Sequence, residues 1–457
     1  MKLSLIQLPT SHLGSGEKVY PLGLSRLAGR IPDNYDVYPI DMNLSPDPWM
    51  ALHKLIVDVK PDVAALSFRN IDPLAGHHAS YLSSLKTAAL LVRKFSPGSI
   101  IMAGGPAFSL FPERLMKEIP EIDYGMKGEA EEVFASLLGK SIRPEKIPGL
   151  IWRKDSSIIM NPKGPGINLD NLPEINAGYF NPEDYIKGNA YVAAVGIEGK
   201  RGCDLTCSYC VYPSIGGYGM RLRNPKVIVD EMERLSCEYG IKLFHFTDAV
   251  VNRPVDHYET VCKEIIKRKL DTGWTGFFRE DTFTDYNAGL AKDAGLVACY
   301  FSGDSLNSFG LKLLKKKLTP DIILGASKVT VKHDILTMCH FLLNLPFERE
   351  EHRTASRELL NRLLDIHSKA GNLGAVIFNN IRLYPDASIT RTLIKNGLLS
   401  PETDLLYPVY YNPTGTSYFQ HELELTCHSA GVFSRIEKDT QEKEYENNCP
   451  GTPQNTI

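Results

Sequence analysis

Three thiols stand within eight residues in GKRGCDLTCSYCVYP, as Cys203, Cys207 and Cys210. With nine cysteines in 457 residues, this spacing is expected by chance only about 0.004 times. Thiolates are soft ligands that select zinc or iron–sulfur. A structural zinc needs a fourth ligand at short spacing, and the next histidine is His245. Three thiolates on one tight loop suit a [4Fe–4S] cluster with one iron left open to substrate or cofactor; zinc and a coincidental trio are the alternatives. The other six cysteines are isolated, which argues against a secreted disulfide framework. Cys237, Cys262, Cys299 and Cys339 read as small buried hydrophobes in helices and strands. Cys427 and Cys449 carry no assignment.

A rigid element must present that loop, and α/β series flank it on both sides. Over residues 1–140, short apolar runs (LSLIQL, DVYPID, DVAALSF, SIIMAGG, DYGMKG) alternate with amphipathic stretches. In 82–92, Leu82, Leu85, Ala89 and Val92 return to one helical face. This α/β pattern predicts a parallel sheet covered on both faces. Such a Rossmann-like domain binds ligands beyond its C-terminal strand ends. Residues 141–190 are rich in Pro, Gly and Asn and read as a linker with a small hairpin around GLIWRKDSSIIMNP.

A second series spans 191–390. Its strand candidates are YVAAVGIEG, KLFHFTD, WTGFF, LVACYFSGD, ILTMCHFLLNLP and GAVIFNNIRLYP, separated by helical stretches. Six such units suit a partial (β/α)6 TIM-type barrel, where function gathers at the C-terminal strand ends. Residues 391–457 form a C-terminal extension whose polar end, from about 435, reads as disordered.

A net charge of −3 with 43% hydrophobic and 23% charged residues is ordinary globular composition. It gives no reason to expect nucleic acid or an acidic membrane as partner. No apolar run reaches about 18 residues, and MKLSLIQLPT lacks a cleavage pattern, so a cytoplasmic protein is expected.

Cys203-x3-Cys207-x2-Cys210 after a first barrel strand resembles the radical S-adenosylmethionine superfamily. The resemblance implies that the open iron is chelated by the amino and carboxylate groups of S-adenosylmethionine. One electron, from an external flavodoxin- or ferredoxin-type reductant, would then cleave that cofactor to a 5′-deoxyadenosyl radical. Tyr209, before the third cysteine, is expected beside the adenine. The likeness extends to RGC ahead of the cluster, then YP, Gly216, Gly217, Gly219, Arg221 and Arg223, with Arg223 a cofactor-binding candidate. The second strand ends in FTDAVVN, where the family commonly has a Gly-Gly-Glu turn for the cofactor's amino group. This chain lacks that turn, and Thr247 and Asp248 substitute for it by position. The fourth strand ends in SGDS, offering Asp304 and Ser305 for the ribose or amino-acid portion. Helix N-capping is the alternative duty for Asp248 and Asp304.

The Rossmann-like domain resembles the cobalamin-binding subgroup through PLGLSRLAGRI (21–31), ALSFRNID (65–72), AGGPAFSLFPE (103–113) and MKGEAEEVF (126–134). The likeness places Ser67, Arg69 and Asn70 under a corrin. It lets Gly104 and Gly105 admit the flat macrocycle to the backbone, and sets Gly128 and Glu129 beside the nucleotide tail. A tight turn and a helix N-terminal acid are the alternatives for GG and Glu129. The DxHxxG motif of cobalamin mutases is absent. TSHLGSG (10–16) has Thr10 in place of the Asp, so His12 reads as a loop histidine and cobalt would be base-off, with Arg69 disfavouring a water ligand. No GxGxxG follows the first strand, which argues against a dinucleotide dehydrogenase.

The resemblance implies a [4Fe–4S] cluster, S-adenosylmethionine and cobalamin acting together to methylate an unactivated carbon of a small-molecule or natural-product substrate. Three alternatives stand: cyclisation or rearrangement with the same cofactors, radical chemistry beside a cobalamin-free scaffold, and a non-catalytic iron–sulfur sensor. Trp274, Phe277, Phe278, Arg279 and Arg382 to Tyr384 are pocket candidates. LLYPVYYNP (405–413) could close the barrel's open side.

Overall fold

The computed structural model describes residues 1–10, 17–73, 79–139, 142–186, 195–413 and 417–435. His12, the first residues of the YVAAVGIEG strand, the tail beyond 435 and Cys449 lie outside them.

Seven strands form the first sheet: β1 (Lys2–Gln7), β2 (Asp36–Asp41), β3 (Val63–Ser67), β4 (Ile100–Gly104), β5 (Tyr124–Met126), β6 (Leu150–Lys154) and β7 (Ser157–Met160). Their order is β2-β1-β3-β4-β5-β6-β7. The first five are parallel, and β6 and β7 add antiparallel to the edge. Helices cover the parallel part because its strands are apolar on both faces. Helix Leu82–Phe95 lays down Leu82, Leu85, Ala88, Ala89 and Val92, all buried, as its 3.6-residue period dictates. The hairpin from 141–190 is therefore an extension of this sheet, turning at Asp155 with φ 53.

The second half has β8 (Val195–Ile197), β9 (Lys200–Arg201), β10 (Arg221–Leu222), β11 (Leu243–Phe246), β12 (Gly273–Phe278), β13 (Leu296–Asp304), β14 (Leu336–Leu342), β15 (Leu373–Asn379), β16 (Ile381–Arg382), β17 (Tyr410–Tyr411) and β18 (Phe433–Arg435). The main sheet runs β18-β15-β14-β13-β12-β11-β8, parallel throughout. The six anticipated strands are joined by β18, which comes from the C-terminal extension. Three residues form a strand there only because β15 offers an open edge.

Side chains alternate across these strands, and the alternation corrects two pocket candidates. Trp274 and Phe278 face the helices, where Trp274 is 1% exposed and packs on Phe246, Tyr258 and Phe278. Phe277 points the other way, against His245, Tyr300 and His340. Burial pushes the His245 and His340 imidazoles down to about 4, so this layer is uncharged at neutral pH. Among the isolated cysteines, Cys262, Cys299, Cys339 and Cys427 are buried but Cys237 is exposed, contrary to expectation.

Candidate active site at the barrel mouth

The loop after β9 carries the three cysteines and is held from several directions. Gly202 has φ +87, and a Cβ there would meet the Gly219 carbonyl oxygen at 2.1 Å. Only glycine permits that approach. Cys203 N donates to the Gly217 carbonyl (3.2 Å) and Gly219 N to the Cys203 carbonyl (3.3 Å). The glycine patch thus wraps the first cysteine before β10 returns antiparallel to β9. Across the loop, Ser208 N donates to Leu314 O at 3.0 Å and Ile389 N to Ser208 O at 2.9 Å.

None of the three thiols is in a disulfide. Burial pushes the Cys210 thiol up to about 11, with Cys207 and Cys203 adding to the rise. The thiols therefore sense one another. Yet no three His, Cys, Asp or Glu side chains among the described residues gather as one ion would need. A [4Fe–4S] cluster takes each thiolate at a different iron, and the soft donor set fits it.

Charged groups collect beside the cysteine loop, at Tyr209. Tyr209 donates its hydroxyl to Asp304 Oδ2, and Lys316 Nζ lies 2.6 Å from the same oxygen. Asp304 closes β13 with φ 61, so strand end and cysteine loop are tied through one carboxylate. Arg279 is 3% exposed and binds Asp281 through Nε and Nη2 at 2.9 and 2.8 Å. Nothing in the sequence marked Lys316: it stands in LLKKKL, a run that reads as a solvated face.

The remaining strand-end residues are less alike. Thr247 is exposed at the mouth. Asp248 is 3% exposed and spends Oδ1 on the Gly199 and Lys200 amides at 2.8 and 3.0 Å, with Lys200 Nζ 3.6 Å from Oδ2. It shapes the turn into the cysteine loop, so its carboxylate is already committed and is not open to a cofactor amino group. Ser305 Oγ accepts from Asn307 N at 3.3 Å within its own turn. Arg223 lies under the mouth, 2.6 Å from Glu231 and 4% exposed, and a cofactor could not reach it there.

On the first sheet, β3 and β4 end in a flat shelf. Gly105 has φ +104, and a Cβ there would stand 2.7 Å from the Phe68 carbonyl oxygen; Gly104 takes Phe68 N on its carbonyl at 2.8 Å. Only glycine allows these two strand ends to approach so closely, and the two glycines leave bare backbone there, as a flat macrocycle would need. Beside it, Ser67 donates to Gln7 Oε1 at 3.0 Å, and Arg69 reaches Asn70 Oδ1 (3.1 Å) and Glu17 (2.7 Å). A cavity of about 300 Å³ opens here, walled by Arg69, Asn70 and Ala107 from this half and Arg382, Tyr384 and Tyr410 from the other.

Gly128 and Glu129 lie elsewhere. They line a separate cavity of about 360 Å³ against the glycine patch, and Glu129 is gripped by Arg221 and lies 3.5 Å from Arg201. Arg201 in turn binds Glu131 at 2.7 Å. The KGE and KRGC…RLR segments thus bind each other, and Glu129 joins the halves instead of facing the shelf. Arg26 does likewise: fully buried, it forks onto Glu231 at 2.6 and 2.7 Å.

The B12 binding domain family matches residues 14–138, and the Radical SAM superfamily matches residues 197–360. An uncharacterized methyltransferase of Pyrococcus horikoshii is 26% identical over 87% of this chain and 84% of its own length. The cytidylyl-2-hydroxyethylphosphonate methyltransferase of Streptomyces wedmorensis is 26% identical over 86% of this chain and 81% of its own. In three dimensions the chain is similar to the radical S-adenosylmethionine methyltransferase TsrM from Kitasatospora setae, solved with cobalamin and a [4Fe–4S] cluster bound. The TM-score is 0.76 at 19% identity, over 95% of this chain and 93% of that one. With a B12-binding domain on the shelf side and a radical SAM barrel behind the cysteine loop, the chain belongs to the cobalamin-dependent radical S-adenosylmethionine enzymes.

Proposed function

We propose that the protein methylates a carbon of a small molecule held between the barrel mouth and the cobalamin shelf, with Cys203, Cys207 and Cys210 as the cluster ligands. One observation carries the reading: the cavity beside the shelf takes its walls from both halves, so a methyl carrier on one side faces a substrate on the other. When bound, the three cofactors supply a methyl donor, a methyl carrier and a one-electron route to a carbon radical. The chain's own part is to place and seclude them. Gly104 and Gly105 keep the shelf flat, the glycine patch and Ser208 fix the cysteine loop, and Tyr209 with Asp304 borders the open mouth. Tyr384 and Tyr410 line the cavity from the barrel side. His245 and His340, held neutral by burial, leave the barrel layer below without charge of its own. Among the described residues no helix is long and apolar enough to cross a membrane.

The test needs no substrate. Anaerobically reconstituted protein, given cob(I)alamin and S-adenosylmethionine with a deuterated methyl group, should form labelled methylcobalamin and S-adenosylhomocysteine. Protein that assembles its cluster but retains no cobalamin would overturn the reading. Labelled methylcobalamin with an unmethylated, oxidised product from candidate substrates would point to cyclisation or rearrangement.

A further inference from the structure

Lys315, Lys316 and Lys317 are consecutive, yet only Lys316 is buried, at 4% exposure. Removing an ammonium from water costs several kcal/mol, so a buried lysine implies negative charge around it. Asp304 is one such charge, but it also accepts the Tyr209 hydroxyl. The segment that carries Lys316 lies against the cysteine loop, where Ser208 donates its N–H to Leu314 O and its hydroxyl to Leu313 O, each at 3.0 Å, and Arg279 adds a second buried cation. Arg279 gives Nη2 to the Lys316 carbonyl at 2.8 Å, so the two are linked. Its Nη1, however, is buried with no hydrogen-bond partner. Leaving such a donor unsatisfied costs about 1–3 kcal/mol, a cost an incoming anion would relieve.

We propose that Lys316 and Arg279 are buried cations behind the cysteine loop that set how readily the cluster accepts its electron. This rests on the three cysteines being the cluster ligands. A cluster held by three thiolates becomes more negative on one-electron reduction. Its potential follows local charge, hydrogen bonds to sulfur and solvent exposure. Fixed cations in a poorly hydrated site favour the reduced form, and their paired carboxylates, Asp304 on Lys316 and Asp281 on Arg279, oppose them. Both are positioning residues: they act through the cluster and touch no reacting atom.

Reconstituted full-length protein, without S-adenosylmethionine, would be titrated against one-electron mediators and the reduced cluster read by electron paramagnetic resonance. Lys316→Met should lower the reduced-to-oxidised ratio at fixed poise by about tenfold, which is about 59 mV for a one-electron couple. Arg279→Gln should shift it the same way, Lys316→Arg should restore it, and Asp304→Asn should shift it oppositely. Opposite shifts from two members of one ion pair are not what a merely structural role produces. Unchanged potentials in Lys316→Met and Arg279→Gln, at full iron and sulfide content, would overturn the proposal. So would Asp304→Asn moving with Lys316→Met. Should Lys316→Met fail to fold, Arg279→Gln, which keeps the Lys316–Asp304 pair, decides alone. Wild-type protein that binds no iron would overturn the cluster reading itself, visible before any titration.

Discussion

Arg382 on β16 sets its Nε 2.8 Å from Asp72 Oδ2, with both side chains under 10% exposed. The pair joins the turn carrying Arg69 and Asn70 to the edge of the barrel mouth. Tyr410 adds its hydroxyl to Asp72 Oδ1 at 3.4 Å, from the strand that pairs with β16. The guanidinium also lies 4.7 Å from the Tyr384 ring centroid. Two halves of the chain therefore meet at the cavity through one buried ion pair.

Arg382→Met should destabilise the protein by about 3–5 kcal/mol, because Asp72 is left as an uncompensated buried charge. The double variant Arg382→Met/Asp72→Leu should recover part of that loss. Urea unfolding followed by tryptophan fluorescence measures both; a double variant no more stable than the single one would show that packing, not charge, holds this seam.

Replacing Cys203, Cys207 or Cys210 singly with Ala should abolish cluster assembly while far-ultraviolet circular dichroism stays near wild type. The loop's own anchors, Cys203 N to Gly217 O, Gly219 N to Cys203 O and Ser208 N to Leu314 O, involve backbone and not sulfur. Iron and sulfide analysis after anaerobic reconstitution reads the outcome. A full complement of iron in any of the three variants would remove that cysteine from the ligand set.

The cysteine trio was legible in the sequence because its three thiols lie close along the chain, on one loop, and are seen without tertiary context. The apolar strands of both sheets were legible for a similar reason, since burial on both faces leaves an unbroken apolar run. Lys316 and Arg26 were not, because a buried cation differs from a solvated one only in what folds over it. Trp274, Phe277 and Phe278 showed an aromatic strand, but which alternate face looks into the barrel depends on the sheet's curvature. Glu129 and Arg221 were visible as flanking motifs, while their mutual contact crosses from one half to the other. The strand β18 has too few residues to signal itself without the β15 edge.

Gly105→Ala should weaken cobalamin retention at least tenfold and leave cluster content unchanged. The substitution forces a Cβ to within 2.7 Å of the Phe68 carbonyl oxygen at a φ of +104, a strain of about 1–3 kcal/mol. Relief requires β3 and β4 to part, which tilts the shelf. Visible spectra of protein separated from excess cobalamin by gel filtration check it. Equal retention by wild type and variant would mean that the shelf is not where the macrocycle lies.

Glu280 supplies a pH dependence with a definite sign. It is 4% exposed, neither carboxyl oxygen has a hydrogen-bond partner, and burial pushes its carboxyl up from 4.5 to about 7. Lys316 and Arg279 pull it down and Asp304 pushes it up, but desolvation wins. Between pH 4.5 and 7 the folded chain thus keeps a proton that the unfolded chain has released. The stability from this group is complete below pH 4.5 and is lost as pH rises through 7. A shift of that size is worth about 3 kcal/mol. Glu280→Gln imitates the protonated acid, so it should be near neutral at pH 5 and stabilising at pH 8. Urea midpoints of wild type and variant at the two pH values test this. Parallel losses in both proteins would show that Glu280 is ionised in the fold and that its charge is met by Lys316.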